Sequence, residues 1–259
     1  MKKTGIGIGL LMLAVSVWFW LRIDQSMNDR NKSGETVITP SITPPAAELK
    51  FKTVSLNEKN YGYVLFKGES NVKLVSNYSQ KETAKTISEN LNCSFGINGG
   101  FYDENGKALG WVAIDGVTVS NYRNSTLLNG YLSVDDGKWK AETAIPKKAD
   151  FGVQSGPVLM ENSQPVTLNM ARDKMARRMF SAVTTDGNGY FGSVFAVDTP
   201  LLGPNLADLP DLVFKIGKAE GLNWENALNL DGGSASAFKN NDFWLEEVSS
   251  IGSWWCFSE

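Results

Sequence analysis

"ALNLDGGSAS", residues 227–236, is the stretch on which the reading of the fold turns. An apolar run ends at Leu230, and an aspartate, two glycines and a serine follow at once. A strand that stops this way leaves the Asp231 side chain at its carboxyl end, beside a backbone that glycine lets bend and approach a ligand closely. Residues 95–106, "FGINGGFYDENG", repeat the device: an apolar run, then Asn98, Gly99, Gly100, Phe101 and Tyr102. Taken singly, each pattern is most simply a turn.

Working outward, most of the chain reads as strands. "YGYVLF" (61–66), "VKLVS" (72–76), "GWVAI" (110–114), "YLSV" (131–134), "FSAVTT" (180–185) and "GYFGSVFAV" (189–197) are β-branched or aromatic runs bounded by Gly, Asn or Asp. Hairpins are expected at residues 113–119, through Asp115-Gly116, and at 184–192. Two helices are expected. The first starts at Ser79 with Glu82 completing a capping box, and puts Ala84, Ile87 and Leu91 on one face. The second runs over residues 206–220, with Pro210 in its first turn, a stripe of Leu209, Leu212, Val213 and Ile216, and Gly221 as its stop. The expected fold is α+β: a single domain with a mixed sheet and a few packed helices.

Ahead of it, residues 5–21 form an uncharged stretch of 17, flanked by Lys2, Lys3 and Arg22 and ending in Trp18, Phe19 and Trp20. As a helix it is about 26 Å long, at the short edge of a membrane span. The aromatics at its end favour a signal-anchor, residues 1–27, over a cleaved signal peptide, for which "AVS" at 14–16 is the one weak cleavage site. Residues 28–47, polar and rich in Ser, Thr and Pro, read as a flexible linker. Either reading exports residues 48–259 to the periplasmic or extracellular side, membrane-anchored or, after cleavage, secreted.

The exported part carries 20 cationic and 25 acidic side chains, a net charge of −5, which gives no footprint for nucleic acid. The chain has no histidine. Ser-His-Asp and Cys-His catalysis and His-ligated zinc are therefore excluded, and acid–base chemistry falls to carboxylates, Tyr, Lys, Cys or water. The two cysteines, Cys93 and Cys256, either pair in the exported compartment or remain separate buried thiols.

Two further segments carry candidate chemistry. "GVQSGPVLM" (152–160) holds Ser155-Gly156-Pro157 between apolar runs. "ARDKMARRMFSAVTT" (171–185) is the most basic stretch, and Arg178 leads it into a strand, where a guanidinium can clamp a phosphate. The other three cations, Arg172, Lys174 and Arg177, read as solvated loop residues.

Together, "INGGFY", "QSGPVL", "RRMFSAV" and "ALNLDGGSAS", in that order across residues 95–238, resemble the phosphodiester glycosidase family, which includes the lysosomal uncovering enzyme. The chain has Met179 where the family commonly has Thr, and Ala235 where it has a third glycine. The resemblance implies an exported hydrolase that cleaves the glycosidic bond of a sugar-1-phosphodiester or related envelope glycan. It implies Asp231 as nucleophile, base or oxocarbenium stabiliser, and Arg178 as the cation on the leaving phosphate. Asn98, Gly99, Gly100, Tyr102, Ser155, Gly156, Asn229, Gly232, Gly233 and Ser234 would then bind substrate. Asp186 and Asp198 are reserve carboxylates at strand ends. No cofactor is expected; Asp231 and Asp198 could offer oxygens to a divalent cation, but no calcium-loop spacing is present. The competing reading is a non-catalytic glycan-binding protein that uses the same turns with exposed Trp111, Trp139 and Trp244.

Overall fold

A computed structural model describes residues 51–258; the expected anchor and linker lie outside the described residues. The described residues all belong to one compact unit. In chain order the elements begin with β1 (Lys52–Leu56), β2 (Lys59–Lys67), β3 (Val72–Ser76), α1 (Ala84–Asn90) and β4 (Phe95–Asn98). There follow β5 (Val112–Ile114), β6 (Val117–Ser120), β7 (Gly130–Asp135), β8 (Lys138–Glu142), β9 (Phe151–Ser155), β10 (Val158–Glu161) and β11 (Gln164–Pro165). The last are β12 (Arg178–Thr184), β13 (Gly189–Ala196), α2 (Leu209–Ala219), β14 (Trp224–Asn229), β15 (Phe238–Lys239), β16 (Trp244–Leu245) and β17 (Ser253–Phe257).

The strands form three sheets, ordered β1-β2-β13-β12-β14-β10-β11, β16-β15-β4-β17-β3 and β6-β5-β9-β7-β8. Every pairing between these strands is antiparallel, so the expected mixed sheet is corrected to a mostly β architecture with two short helices. Short hairpins join β1–β2, β5–β6, β7–β8, β10–β11, β12–β13 and β15–β16, and such connections permit only antiparallel pairing, while pairs such as β2–β13 and β4–β17 bring together strands far apart in sequence. Both expected hairpins form: Asp115 and Gly116 take φ of 50° and 76° between β5 and β6, and β12 pairs with β13.

The long sheet is buried on both faces, which is why its strands read as nearly continuous apolar runs. Along β12, Met179 and Val183 face the aromatic centre with Phe66, Phe191, Trp139, Trp255 and Phe257, while Phe180 and Ala182 face α2. Leu209, Leu212, Val213 and Ile216 on α2 are wholly buried against that second face. Each contributes about 1.5–3 kcal/mol by leaving water. Gly221, at φ 67°, follows the helix as expected, and a 3-10 turn over Leu206–Asp208 leads into it.

The first helix corrects the expected capping box. Lys81 takes a left-handed φ of 54°, so no helix runs through it, and α1 starts only after the N-cap Thr83, whose Oγ1 accepts from Thr86 N at 3.1 Å. Glu247 Oε1 accepts from Ala84 N at 2.7 Å, a cap supplied from 163 residues away. The helix packs Ala84 and Ile87 against Ile251, Trp254 and the Cys93–Cys256 pair, which is joined as a disulfide. Among the described residues no helix is long and apolar enough to cross a membrane.

Candidate active site

Strand register brings the four sequence segments to one end of the sheets. Phe180 pairs with Asn229 and Val158 with Leu228. The start of β12, the start of β10 and the exit of β14 therefore share an edge, with Arg178, Gly156 and Asp231 respectively. The second sheet adds the exit of β4, where Asn98 pairs with Trp254 of β17. The two sheets are stitched together at this point. Asn98 Nδ2 donates to Asp231 O at 2.7 Å, Asp231 N donates to Gly99 O at 3.1 Å, and Asn98 Oδ1 accepts from Ala237 N at 2.9 Å. Asn98 is thus a buried clamp between the motifs.

The first glycine of "NGG" is required by close approach. A Cβ at Gly99 would stand 2.4 Å from Ser253 Oγ. Gly156 is required by conformation, because its φ is 150° and a Cβ there would meet Leu127 O at 2.3 Å. Gly232 and Gly233 carry the chain past Asp231 into a 3-10 turn, with Gly233 N donating to Arg177 O at 2.9 Å. Gly100 lies against Gln154 O on the other side of the edge.

Asp231 is half-buried, and its carboxyl has no cationic partner among the described residues. Burial pushes its pKa up from 3.8 to about 7, with only the Gly232 N–H pulling the other way. A carboxyl poised there exchanges a proton near neutral pH, the range in which a general acid or base is most effective.

Arg178 occupies the strand start but is directed at protein oxygens. Its Nε donates to Pro204 O at 3.1 Å, and its Nη2 reaches Lys174 O and, at 3.3 Å, Asp173 Oδ1. Asp173 in turn accepts from Leu206 N and Ala207 N at 2.8 Å each, so the pair ties the basic loop to the entry of α2. Burial lowers the Arg178 pKa, and the Asp173 charge works against that. Its neighbour corrects the expectation of a solvated loop cation. Arg177 is 2% exposed and donates from Nη2 to Ser236 O at 2.7 Å and Glu246 O at 2.6 Å. Burial pushes it down to about 10 despite Glu247 nearby. Its position in "RRMF", one residue before a two-sided buried strand, was the available signal. Arg172 and Lys174 are exposed, as expected.

The other candidates divide into edge and support. Ser155 is wholly buried and its hydroxyl donates to Asn229 O at 2.7 Å, while Asn229 Nδ2 donates to Gly156 O at 2.8 Å. These three hold the β9–β10 turn against the end of β14. Tyr102 is half-buried and its hydroxyl donates to Ser250 O. Ser234 is exposed and its Oγ lies 2.9 Å from Ser249 Oγ. Asp186 sits in an exposed turn past Thr184, at the far end of β12 from Arg178, and the Thr184 hydroxyl holds its pKa low. Asp198 is exposed in the turn after β13. No cluster of three Cys, Asp or Glu side chains suited to a metal occurs among the described residues. The aromatics of the competing reading are corrected too. Trp111 and Trp139 are 6% and 3% exposed: Trp139 lies on the inward face of β8 opposite Val134, Trp111, just ahead of β5, packs with Ala113, Tyr131 and Ala149, and Trp244 is half-buried under Lys239.

The phosphodiester glycosidase family model matches residues 91–252, more than half of the chain. In structure the chain is similar to the zebrafish N-acetylglucosamine-1-phosphodiester alpha-N-acetylglucosaminidase catalytic domain, auto-inhibited by its pro-peptide. That likeness has 14% identity, a TM-score of 0.62, and covers 81% of each chain. It is also similar to a hypothetical protein from Synechocystis at 14% identity and a TM-score of 0.60, covering 80% of this chain and 61% of that one. Both likenesses bear on the fold alone. No curated protein matches the sequence.

Proposed function

The chain belongs to the phosphodiester glycosidase family, and from that premise we propose that it hydrolyses the glycosidic bond of a sugar-1-phosphodiester. The observation that carries the reading is Asp231: an unpaired carboxyl with its pKa raised to about 7, at the edge where all four motifs meet. A phosphate monoester leaves with its electron pair without needing much protonation. The demand on the protein is therefore a carboxylate at the anomeric carbon and donors for the leaving oxygens. As base, ionised Asp231 takes a proton from the water that attacks the carbon; as nucleophile, it attacks directly. Both roles need the charged form, so turnover rises through pH 7. In the two glycine turns Gly99 N donates to Ser253 O, Gly233 N to Arg177 O and Gly232 N to Asp231 itself, so Gly100 N is the backbone donor left for the leaving oxygens, with Arg178 at the rim of the edge. We further propose that the domain is exported, since a Cys93–Cys256 disulfide persists in an oxidising compartment.

The test is release of free sugar from a panel of sugar-1-phosphodiesters by the purified protein and by Asp231→Asn. Turnover by wild type with none by the variant supports the reading. Glycan binding by both proteins, with no turnover by either, would replace it with the binding-protein reading.

A further inference from the structure

Tyr78 lies between β3 and α1, ahead of the family-matched residues, and its ring reaches the Asp231 edge. Asn77 fixes the segment: its backbone N–H donates to Gly252 O at 2.9 Å, and its Nδ2 to Ile251 O at 2.8 Å. The rings of Tyr78 and Tyr102 both press on Gly252, where a Cβ would meet Tyr78 Cε1 and Tyr102 Cδ1 at 2.8 Å each. The next residue, Ser253, is wholly buried with its Oγ against Gly99. Gly99 O in turn receives the Asp231 N–H. Tyr78, Ser253, Gly99 and Asp231 are therefore successive neighbours.

Two hydroxyls beside Gly252 and Gly99 share a property with that of Ser236 in the turn after Asp231. Tyr102 donates to Ser250 O, but Tyr78 OH and Ser253 Oγ are buried without a hydrogen-bond partner. Ser253 lies near enough to ease the ionisation of Tyr78, yet the two oxygens do not meet in a bond of normal geometry. Burial pushes the Tyr78 pKa up to about 12, and the Asp231 charge adds to the rise. Tyr78 is thus a protonated donor at every physiological pH. Buried polar groups left unpaired are rare and call for a partner. The charged groups around Asp231 are engaged elsewhere: Arg178 with Asp173, Arg177 with the Ser236 and Glu246 carbonyls, and Glu247 with Ala84 N.

We propose that Tyr78 and Ser253 are positioning residues for Asp231, their hydroxyls turning toward its carboxylate once it ionises and setting the pH at which it does so. The inference rests on the reading of Asp231 as the reacting group. Donors to the charged form favour it, so removing one raises the pH of ionisation.

The test uses the full chain labelled with 13C at the aspartate carboxyl carbons, titrated by NMR, with Asp231→Asn to assign the resonance. Tyr78→Phe should move the Asp231 midpoint upward by about one pH unit, the equivalent of a tenfold change in ionisation. The acid limb of turnover should move with it, lowering kcat at pH 6 by about tenfold with little change in KM. Ser253→Ala should move the midpoint in the same direction. An unmoved or lowered midpoint in Tyr78→Phe, with thermal unfolding unchanged, overturns the proposal. If Tyr78→Phe does not fold, Ser253→Ala decides in the same way. A raised midpoint in a protein that hydrolyses no sugar phosphodiester upholds the positioning role and removes the proposed reaction.

Discussion

Asp231→Asn should make the protein more stable at high pH and leave its stability at low pH nearly unchanged. The carboxyl has an ordinary pKa of 3.8 in the unfolded chain and about 7 in the folded one. Below about pH 4 both states hold the proton and the residue costs nothing. Between pH 4 and pH 7 the folded state holds a proton that the unfolded state has released, so stability falls as pH rises. Above pH 7 the loss is complete and constant. A rise of about three pH units, at about 1.4 kcal/mol each, amounts to about 4 kcal/mol. Asparagine keeps the shape and the oxygen that faces Gly232 N, but has no charge to desolvate. Urea unfolding at pH 4 and pH 8 measures the effect. Wild type should lose about 4 kcal/mol relative to the variant between the two. Asp173, Asp186 and Glu220, whose pKa values are lowered, stabilise in the opposite sense, above pH 4, and cancel in the comparison. Wild-type and variant stabilities that run parallel from pH 4 to pH 8 would refute the burial argument, and with it the reason for assigning the chemistry to Asp231. Stability gained at the expense of turnover is the pattern expected of a strained functional group.

Gly99→Ala places a methyl 2.4 Å from Ser253 Oγ and should cost about 1–3 kcal/mol, read by chemical unfolding, with a larger proportional loss of turnover. Reducing the Cys93–Cys256 disulfide, which spans 163 residues, should cost up to about 5 kcal/mol in the same assay with and without reductant. Arg178→Lys, which cannot keep the contacts to Pro204, Lys174 and Asp173 together, should cost about 1–3 kcal/mol and loosen the loop before β12, seen as faster amide exchange at Leu206 and Ala207.

Local sequence was enough for the local elements. The Asp115-Gly116 hairpin, the apolar stripe of α2 and its stop at Gly221 were legible because each depends on residues within a few positions. Asp231 and Asn98-Gly99-Gly100 were also legible as strand-end positions, since a carboxylate and glycines where an apolar run stops are a local pattern. The absence of histidine fixed the kinds of chemistry left open. What lay beyond sequence was everything set by distant partners. Beside the local cap from Thr83, α1 is capped by Glu247, which no nearby residue announces, and Lys81 ends the expected capping box by a backbone angle that only packing enforces. Trp139 is buried because of which face of paired β8 it occupies, and Trp111 because Tyr131 and Ala149, distant in sequence, pack against it. The same is true of charge. Arg177 and Arg178 are adjacent in sequence and equally cationic, yet alternation along the chain sends one to the Ser236 and Glu246 carbonyls and the other to Asp173. The pKa of Asp231 is likewise tertiary, because desolvation depends on what the fold stacks around a group and not on its neighbours in sequence.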